Sequence, residues 1–154
     1  MDIKEKIHSL SEDLLKNIER LVVINSQLGT PAEGMPFGPG PAKALDEALS
    51  IARELGFKTV NLDHYCCYSE MGEGDDIVGI AGHLDIVPAG GDWTYDPFKL
   101  SREGDHVYGR GTTDDKGPIL EALYAMKLLR DHGVKLNKRV RLIMGCNEET
   151  GSRC

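Results

Sequence analysis

Apolar residues recur at helical spacing in three separate stretches of the chain. The first stretch runs to about Asn25, with Ser11 as its expected N-cap. The second precedes Gly56, and the third covers about residues 117–131 and ends before Gly133. The apolar faces are formed by Leu10, Leu14, Leu15, Ile18, Leu21 and Val22, by Leu45, Ala48, Leu49, Ala52 and Leu55, and by the apolar residues of segment 119–129. The pattern predicts three amphipathic helices.

Extended segments lie between and after these helices. Residues 58–70 are predicted to form a strand, and Ile77–Leu84 is a nearly continuous apolar run, typical of a buried central strand. Lys138–Gly145 is predicted to be the last strand. The alternation of helices and strands predicts an α/β sandwich with a mainly parallel central sheet, in which Ile77–Leu84 and Val140–Gly145 are inner strands.

Turn residues separate these elements. The stretch Gly29–Pro41 holds four Gly and four Pro and is predicted to be a loop. Leu100–Arg110 contains a Gly104-Asp105 turn between two short extended pieces, which indicates a β-hairpin.

Composition and charge narrow the class of protein. A chain of 154 residues is about one domain, and a net charge of −7 with a pI near 5.2 argues against nucleic acid or an anionic membrane as a partner. No apolar run approaches the 18 residues that a membrane-spanning helix needs. The first residues of the chain are charged and lack the apolar segment that a signal peptide contains. The four cysteines show no C-x-x-C spacing, which favours reduced thiols. We therefore expect a cytoplasmic protein.

Candidate chemistry is concentrated at the ends of the predicted strands. The stretch 109–118, GRGTTDDKGP, ends a Gly-rich turn with the adjacent acids Asp114 and Asp115. Neighbouring carboxylates repel each other unless a cation or a shared proton lies between them. His83-x-Asp85 and Glu148-Glu149 each follow an apolar run. An imidazole beside a carboxylate can bind a metal ion. Adjacent residues on an extended chain point opposite ways, so one Glu can bind metal while the other serves elsewhere. A metal-bound water also needs a base to take its proton, which is a task for a carboxylate. The three clusters predict a metal site.

Three of these segments resemble one family of enzymes. GHLDIVP, GRGTTDDKGP and NEETG, in this order, are similar to motifs of the dinuclear-zinc aminoacylase, carnosinase and dipeptidase family. PFGPGPAKALDEAL and DWTYDPF look most like the bacterial dipeptidase V branch. The resemblance covers nearly the whole chain and implies a zinc-exopeptidase-like three-layer sandwich.

The resemblance also implies a role for each site residue. His83 would bind the first zinc ion, with Asp85 orienting its ring. Asp114 would bridge both zinc ions, Glu149 would bind the second, and Glu148 would be the general base. Asp115 would follow a ligand without being one, and the Asp114–Asp115 peptide bond is expected to be cis. Cobalt or manganese would also suit this set of nitrogen and oxygen ligands.

Family members are several times longer than this chain. Residues 1–154 are therefore expected to be the N-terminal portion of the catalytic metal-binding domain, without its later acidic and His ligands and without the lid domain. The expected reaction is hydrolysis of the peptide bond of dipeptides by metal-activated water. N-acyl-amino-acid deacylase and carboxypeptidase activities are alternatives within the family, and a non-catalytic metal-binding or dimerising fragment is an alternative outside it. The expected partners are a dipeptide or small amide substrate and, in a homodimer, a second copy of the chain.

Overall fold

The computed structural model describes residues 3–154, which form three α-helices and six β-strands. The helices are α1 (Ile3–Val22), α2 (Pro39–Glu54) and α3 (Lys116–Asp131). The strands are β1 (Lys58–Leu62), β2 (Cys66–Met71), β3 (Ile77–His83), β4 (Ser101–Glu103), β5 (His106–Tyr108) and β6 (Arg139–Gly145). The three predicted helices and the predicted hairpin, β4–β5, are confirmed. Within residues 3–154, no helix is long and apolar enough to cross a membrane.

Two helix boundaries differ from the prediction. Ser11 lies inside α1, where its hydroxyl donates to the carbonyl of Ile7 at 3.3 Å, so its assignment as an N-cap was wrong. α2 begins at Pro39, inside the stretch predicted to be a loop. A proline in the first turn is tolerated because the first N–H groups of a helix have no intrahelical partner.

The main sheet has the order β1-β2-β6-β3. β3 pairs with β6 in parallel, whereas β1 with β2 and β2 with β6 pair antiparallel. The prediction of a mainly parallel sheet was therefore wrong for the described residues. The reason is a tight turn that divides the single strand predicted over residues 58–70. Asp63 and His64 adopt the left-handed conformation, with φ values of 53° and 57°, and reverse the chain into a hairpin.

The two strands predicted to be central have different positions. β6 lies between β2 and β3, so the inner position of Val140–Gly145 is confirmed. β3 lies at the edge of the sheet, and Ile77 and Val78 are 44% and 47% exposed. The inner, buried position predicted for Ile77–Leu84 was wrong, since the only described neighbour of this apolar strand is β6.

The core lies on one face of the sheet. α2 contacts β1 and β2, α3 contacts β3 and β6, and α1 packs against both of these helices. Leu142 and Met144 of β6 are buried in this core, whereas Ile143, which points the other way, is 36% exposed. The described residues thus form two layers of the expected three-layer sandwich. The side chains exposed on the second face include Val60, Leu62, Ile77 and Ile143.

Candidate metal centre

The site lies where the carboxyl ends of β3 and β6 meet. These strands are parallel, and His83 at the end of β3 is in register with Gly145 at the end of β6. Asp85 follows β3 directly, and the turn at residues 148–151 follows β6. Asp114 lies just before α3, which packs against both strands. The parallel pairing therefore brings the three sequence motifs to one end of the sheet.

The His83 ring is held between two carboxylates. Its Nδ1 lies 3.0 Å from the backbone carbonyl of Asp85 and 3.5 Å from Asp85 Oδ1, while its Nε2 lies 3.1 Å from Asp114 Oδ1. The hydrogen bond to the Asp85 side chain raises the pKa of His83 to about 9, against the opposing effect of burial. Nδ1 faces Asp85, so Nε2 is the nitrogen directed at Asp114 and available to a metal ion.

Asp85 also holds the segment that carries the two glutamates. Its Oδ1 accepts the backbone N–H of Glu148 at 3.0 Å, and its Oδ2 accepts that of Glu149 at 3.1 Å. Asp85 is only 2% exposed, so these bonds form in a largely dry environment. Sequence reasoning did not find this second contact. It joins segments more than 60 residues apart, and no spacing rule relates them.

His83, Asp114 and Glu149 converge as predicted. One ligand atom from each side chain lies within 4.8 Å of the other two. Burial and the charge of Asp114 raise the pKa of Glu149, as expected where carboxylates crowd together. One imidazole nitrogen and two carboxylates fit a divalent cation that accepts mixed nitrogen and oxygen ligands. The donor set therefore suits a metal ion, which would relieve the repulsion between the two acids.

The adjacent acids before α3 point to different partners. The peptide bond between Asp114 and Asp115 is cis, which confirms the expectation from the resemblance. Asp114 is directed at the His83 ring, whereas Asp115 Oδ2 accepts the backbone N–H of His83 at 3.1 Å. The two carboxylates therefore need no cation between them, although their adjacency in the sequence suggested one. The contact between Asp115 and His83 joins the segments that carry His83 and Asp114 directly.

The sequence predicted that Glu148 and Glu149 lie on an extended chain at the end of the strand, and this was wrong. β6 ends at Gly145, and both residues lie in the turn at 148–151. Their side chains therefore do not alternate across a sheet. Glu148 Oε2 lies 3.7 Å from His83 Nε2, so this carboxylate also faces the site while remaining 56% exposed.

The contact between β3 and α3 leaves no room for a side chain at Gly82. A Cβ atom there would collide with the Asp115 carboxylate and would lie 2.9 Å from Ile119 Cγ1. We expect Gly82→Ala to lower the free energy of unfolding by about 1–3 kcal/mol, as overpacking does. Gly79→Ala, in the same strand with nothing within 4 Å, is the matched control and should change it by less than about 0.5 kcal/mol. Urea denaturation measures both, and equal effects would contradict the close approach at Gly82.

Comparisons with known proteins agree with this geometry. Residues 79–154 match the sequence model of peptidase family M20/M25/M40, a range that includes all three site motifs. The chain is 42% identical over 153 residues to the beta-Ala-Xaa dipeptidase of Lactobacillus delbrueckii subsp. lactis, covering 97% of this chain and 33% of that protein. The resemblance to this family and its dipeptidases is therefore confirmed. The chain spans about a third of the length of the curated relatives it matches.

Solved structures give the same result for the fold. Human carnosine dipeptidase 1 is similar with a TM-score of 0.82 and 25% identity, over 97% of this chain and 35% of that one. An M20 family metallo-carboxypeptidase from Sulfolobus solfataricus is similar with a TM-score of 0.75 and 28% identity, over 90% of this chain and 32% of that one. The α/β prediction is confirmed, with a sheet that is mixed rather than mainly parallel.

Proposed function

We propose that this chain supplies the metal-binding part of a dipeptidase. The premise is that residues 79–154 match the sequence model of peptidase family M20/M25/M40. The observation that carries the proposal is the convergence of His83, Asp114 and Glu149 within 4.8 Å at the ends of two parallel strands. The similarity to a beta-Ala-Xaa dipeptidase over nearly the whole chain favours dipeptides as the substrate class.

Three side chains would hold two divalent cations, with zinc as the expected metal. His83 and Asp114 would bind one cation through Nε2 and a carboxylate oxygen, and Asp114 and Glu149 would bind the other. Asp114 suits the shared position because its side chain is 71% exposed and its second oxygen is free to face a second ion. When bound, such cations polarise a substrate carbonyl and lower the pKa of water.

The remaining residues would position and move protons. Asp85 would keep Nδ1 of His83 engaged, so that Nε2 stays directed at the metal. Glu148 would be the general base, taking a proton from the attacking water and returning it to the leaving amine. Its carboxylate faces the site at 3.7 Å from His83 Nε2 and is 56% exposed, which leaves it able to turn toward substrate.

A carboxypeptidase acting on longer peptides is the second candidate. The similarity to the Sulfolobus metallo-carboxypeptidase supports it. This similarity is weaker, at 28% identity, than the 42% identity to the dipeptidase, so the dipeptidase is the first candidate. Both activities use the same hydrolytic chemistry, so the metal-binding residues would keep their roles in either.

We also propose that residues 1–154 are the N-terminal portion of a larger catalytic domain. Ile77 and Val78 of β3, at the sheet edge, and Ile143, on the second face, are exposed. Apolar surface of this kind marks a place where other protein packs. Further chain of the same protein would cover it, supply the third ligand of each cation and form the lid. Assembly into a homodimer and a cytoplasmic location stay predictions.

A chimeric protein tests the proposed function. Residues 1–154 would be joined to the rest of the Lactobacillus beta-Ala-Xaa dipeptidase in place of its matching third. We expect the chimera to hydrolyse dipeptides, to lose activity on chelation and to regain it with zinc, cobalt or manganese. The 154-residue chain alone should show negligible turnover, because its described residues offer each cation only two ligands, whereas catalytic zinc usually has three.

A panel of dipeptides, longer peptides and N-acyl amino acids would separate the candidates. Preferential cleavage of dipeptides supports the proposal, and preference for longer peptides supports the carboxypeptidase. A folded chimera that hydrolyses none of them with any of the three metals would contradict both. Metal-dependent turnover by residues 1–154 alone would show that the described residues suffice for catalysis.

A further inference from the structure

Lys116, the first residue of α3, is fully buried although lysine is almost always exposed in proteins. Its Nζ donates to the backbone carbonyls of Leu21 at 2.9 Å and Ile24 at 2.7 Å. The carbonyl of Leu21 lies in the last turn of α1 and that of Ile24 two residues after the helix ends, and the C-terminal end of a helix favours a cation. A buried ammonium is costly unless it is well paired, so this arrangement fixes the side chain closely.

The segment that follows α1 is also bonded to the chain around His83. Ser26 Oγ donates to the carbonyl of Leu84 at 2.7 Å, and the N–H of Ile86 donates to the carbonyl of Ser26 at 3.4 Å. Leu84 directly follows His83. The residues from Leu21 to Ser26 are therefore bonded on one side to Lys116 and on the other to the chain around His83.

We propose that Lys116 is a positioning residue for the metal centre: by anchoring the Asp114–Asp115 turn to the end of α1, it sets the separation between Asp114 and His83. The proposal deepens the proposed function and rests on it where metal binding is concerned. The Lys116 Nζ donates to the carbonyls of Leu21 and Ile24 rather than to His83 or Asp114. It acts through the backbone two residues before it and through the end of α1.

The geometry makes this connection stiff. Gly111, which begins the turn, has a φ of 90°, and a Cβ atom there would lie 2.9 Å from Cδ of Lys116, so the turn closes tightly around the lysine side chain. Asp115, which follows Asp114 directly, accepts the His83 N–H through its Oδ2. Two bonded routes, one direct and one through α1, thus fix Asp114 relative to His83. Loss of the route through α1 leaves only the direct one, and ligands held less well bind metal more weakly.

Substitutions in the 154-residue chain test the proposal. Lys116→Met removes the ammonium and keeps an unbranched apolar side chain. Ser26→Ala interrupts the same connection at its other end and leaves Lys116 in place. Tyr124→Phe is the matched control, because Tyr124 also joins α1 and α3, through one buried and one partly buried hydrogen bond. Its hydroxyl donates to Asp13 at 2.5 Å and accepts from Asn17 at 2.7 Å, outside the metal centre.

Three properties are measured on each folded variant: the affinity for Co²⁺ by titration of its absorption, the ¹⁵N shift of His83 Nε2 without metal, and the melting temperature. We expect Lys116→Met to weaken Co²⁺ binding about 10- to 100-fold and Ser26→Ala about tenfold, as loss of outer contacts to metal ligands does. Both should change the His83 Nε2 shift. Tyr124→Phe should lower the melting temperature while leaving the affinity within about twofold and the shift unchanged.

The outcomes separate positioning from stability. If Lys116→Met lowers only the melting temperature, as Tyr124→Phe does, Lys116 is structural and the proposal is wrong. If Lys116→Met does not fold, Ser26→Ala decides, and an unchanged affinity and shift in that variant overturn the proposal. If the parent chain binds no Co²⁺, this chain does not hold a metal by itself, but the His83 shift without metal still decides whether Lys116 positions the pair.

Discussion

Replacing Glu148 by Gln in the active chimera is expected to lower kcat about 10²- to 10⁴-fold, because an amide cannot accept a proton from the attacking water. The substitution keeps the size of the side chain, and the Glu148 carboxylate is not among the three proposed ligands. Co²⁺ affinity should therefore stay within a few-fold of the parent value. Steady-state kinetics on a dipeptide and a Co²⁺ titration measure the two effects separately.

Glu149→Gln is the matched variant, since the two residues are adjacent in the same turn. It removes one of the three converging ligand atoms and should weaken metal binding more than it changes turnover at saturating metal. The reverse pattern, with metal lost in Glu148→Gln and retained in Glu149→Gln, would exchange the two roles. Unchanged turnover in Glu148→Gln would show that Glu148 is not the general base.

The convergence of His83, Asp114 and Glu149 could be predicted because it depends on local signals. His83 ends an apolar run, Asp114 ends a Gly-rich turn before a helix, and Glu149 follows another apolar run. Polar residues at such positions collect at one end of a sheet whenever the strands that precede them are parallel. β3 and β6 are parallel, and the resemblance to known motifs supplied the assignment of individual roles.

The strand order and direction of the sheet were predicted less accurately, because they are set by pairing between distant segments. The run of β3 is as apolar as a central strand, yet nothing in its own residues specifies how many neighbours it has. The hairpin between β1 and β2 was missed for a local reason. The chain reverses direction at Asp63 and His64, which adopt the left-handed conformation. Glycine is the residue that usually indicates such a turn in a sequence.

The contacts that hold the candidate ligands in place could not be predicted from the sequence either. The burial of Lys116 contradicts the usual exposure of lysine, and it follows from a hydrogen-bonding site at the end of a helix 95 residues away. The two bonds from Asp85 to the Glu148-Glu149 turn depend on how closely two strand ends approach. These are properties of packing, and no residue pattern encodes them.

Asp85→Asn should have a larger effect on the site than its small change in shape suggests. Both Asp85 oxygens accept a backbone N–H, and an amide can offer only one oxygen, so its NH₂ group must face the N–H of Glu148 or Glu149. An unsatisfied buried donor costs about 1–3 kcal/mol, and we expect the free energy of unfolding to fall by that amount. Asp46→Asn is the control, because Asp46 contacts His64 at 3.0 Å in an exposed pair and should contribute less than about 1 kcal/mol.

The same substitution should change how His83 titrates. The Asp85 side chain is the largest contribution raising the pKa of His83 to about 9 in the metal-free chain, so the pKa should fall toward its ordinary value of 6.5 in Asp85→Asn. A raised pKa in the folded state means that protonated His83 stabilises the metal-free chain below about pH 6.5, and that this stabilisation is lost as the pH rises to about 9. The loss of stability across this window should therefore be smaller in the variant. NMR titration of His83 and urea denaturation at several pH values measure both effects, and a His83 pKa that stays near 9 would show that another group holds the ring.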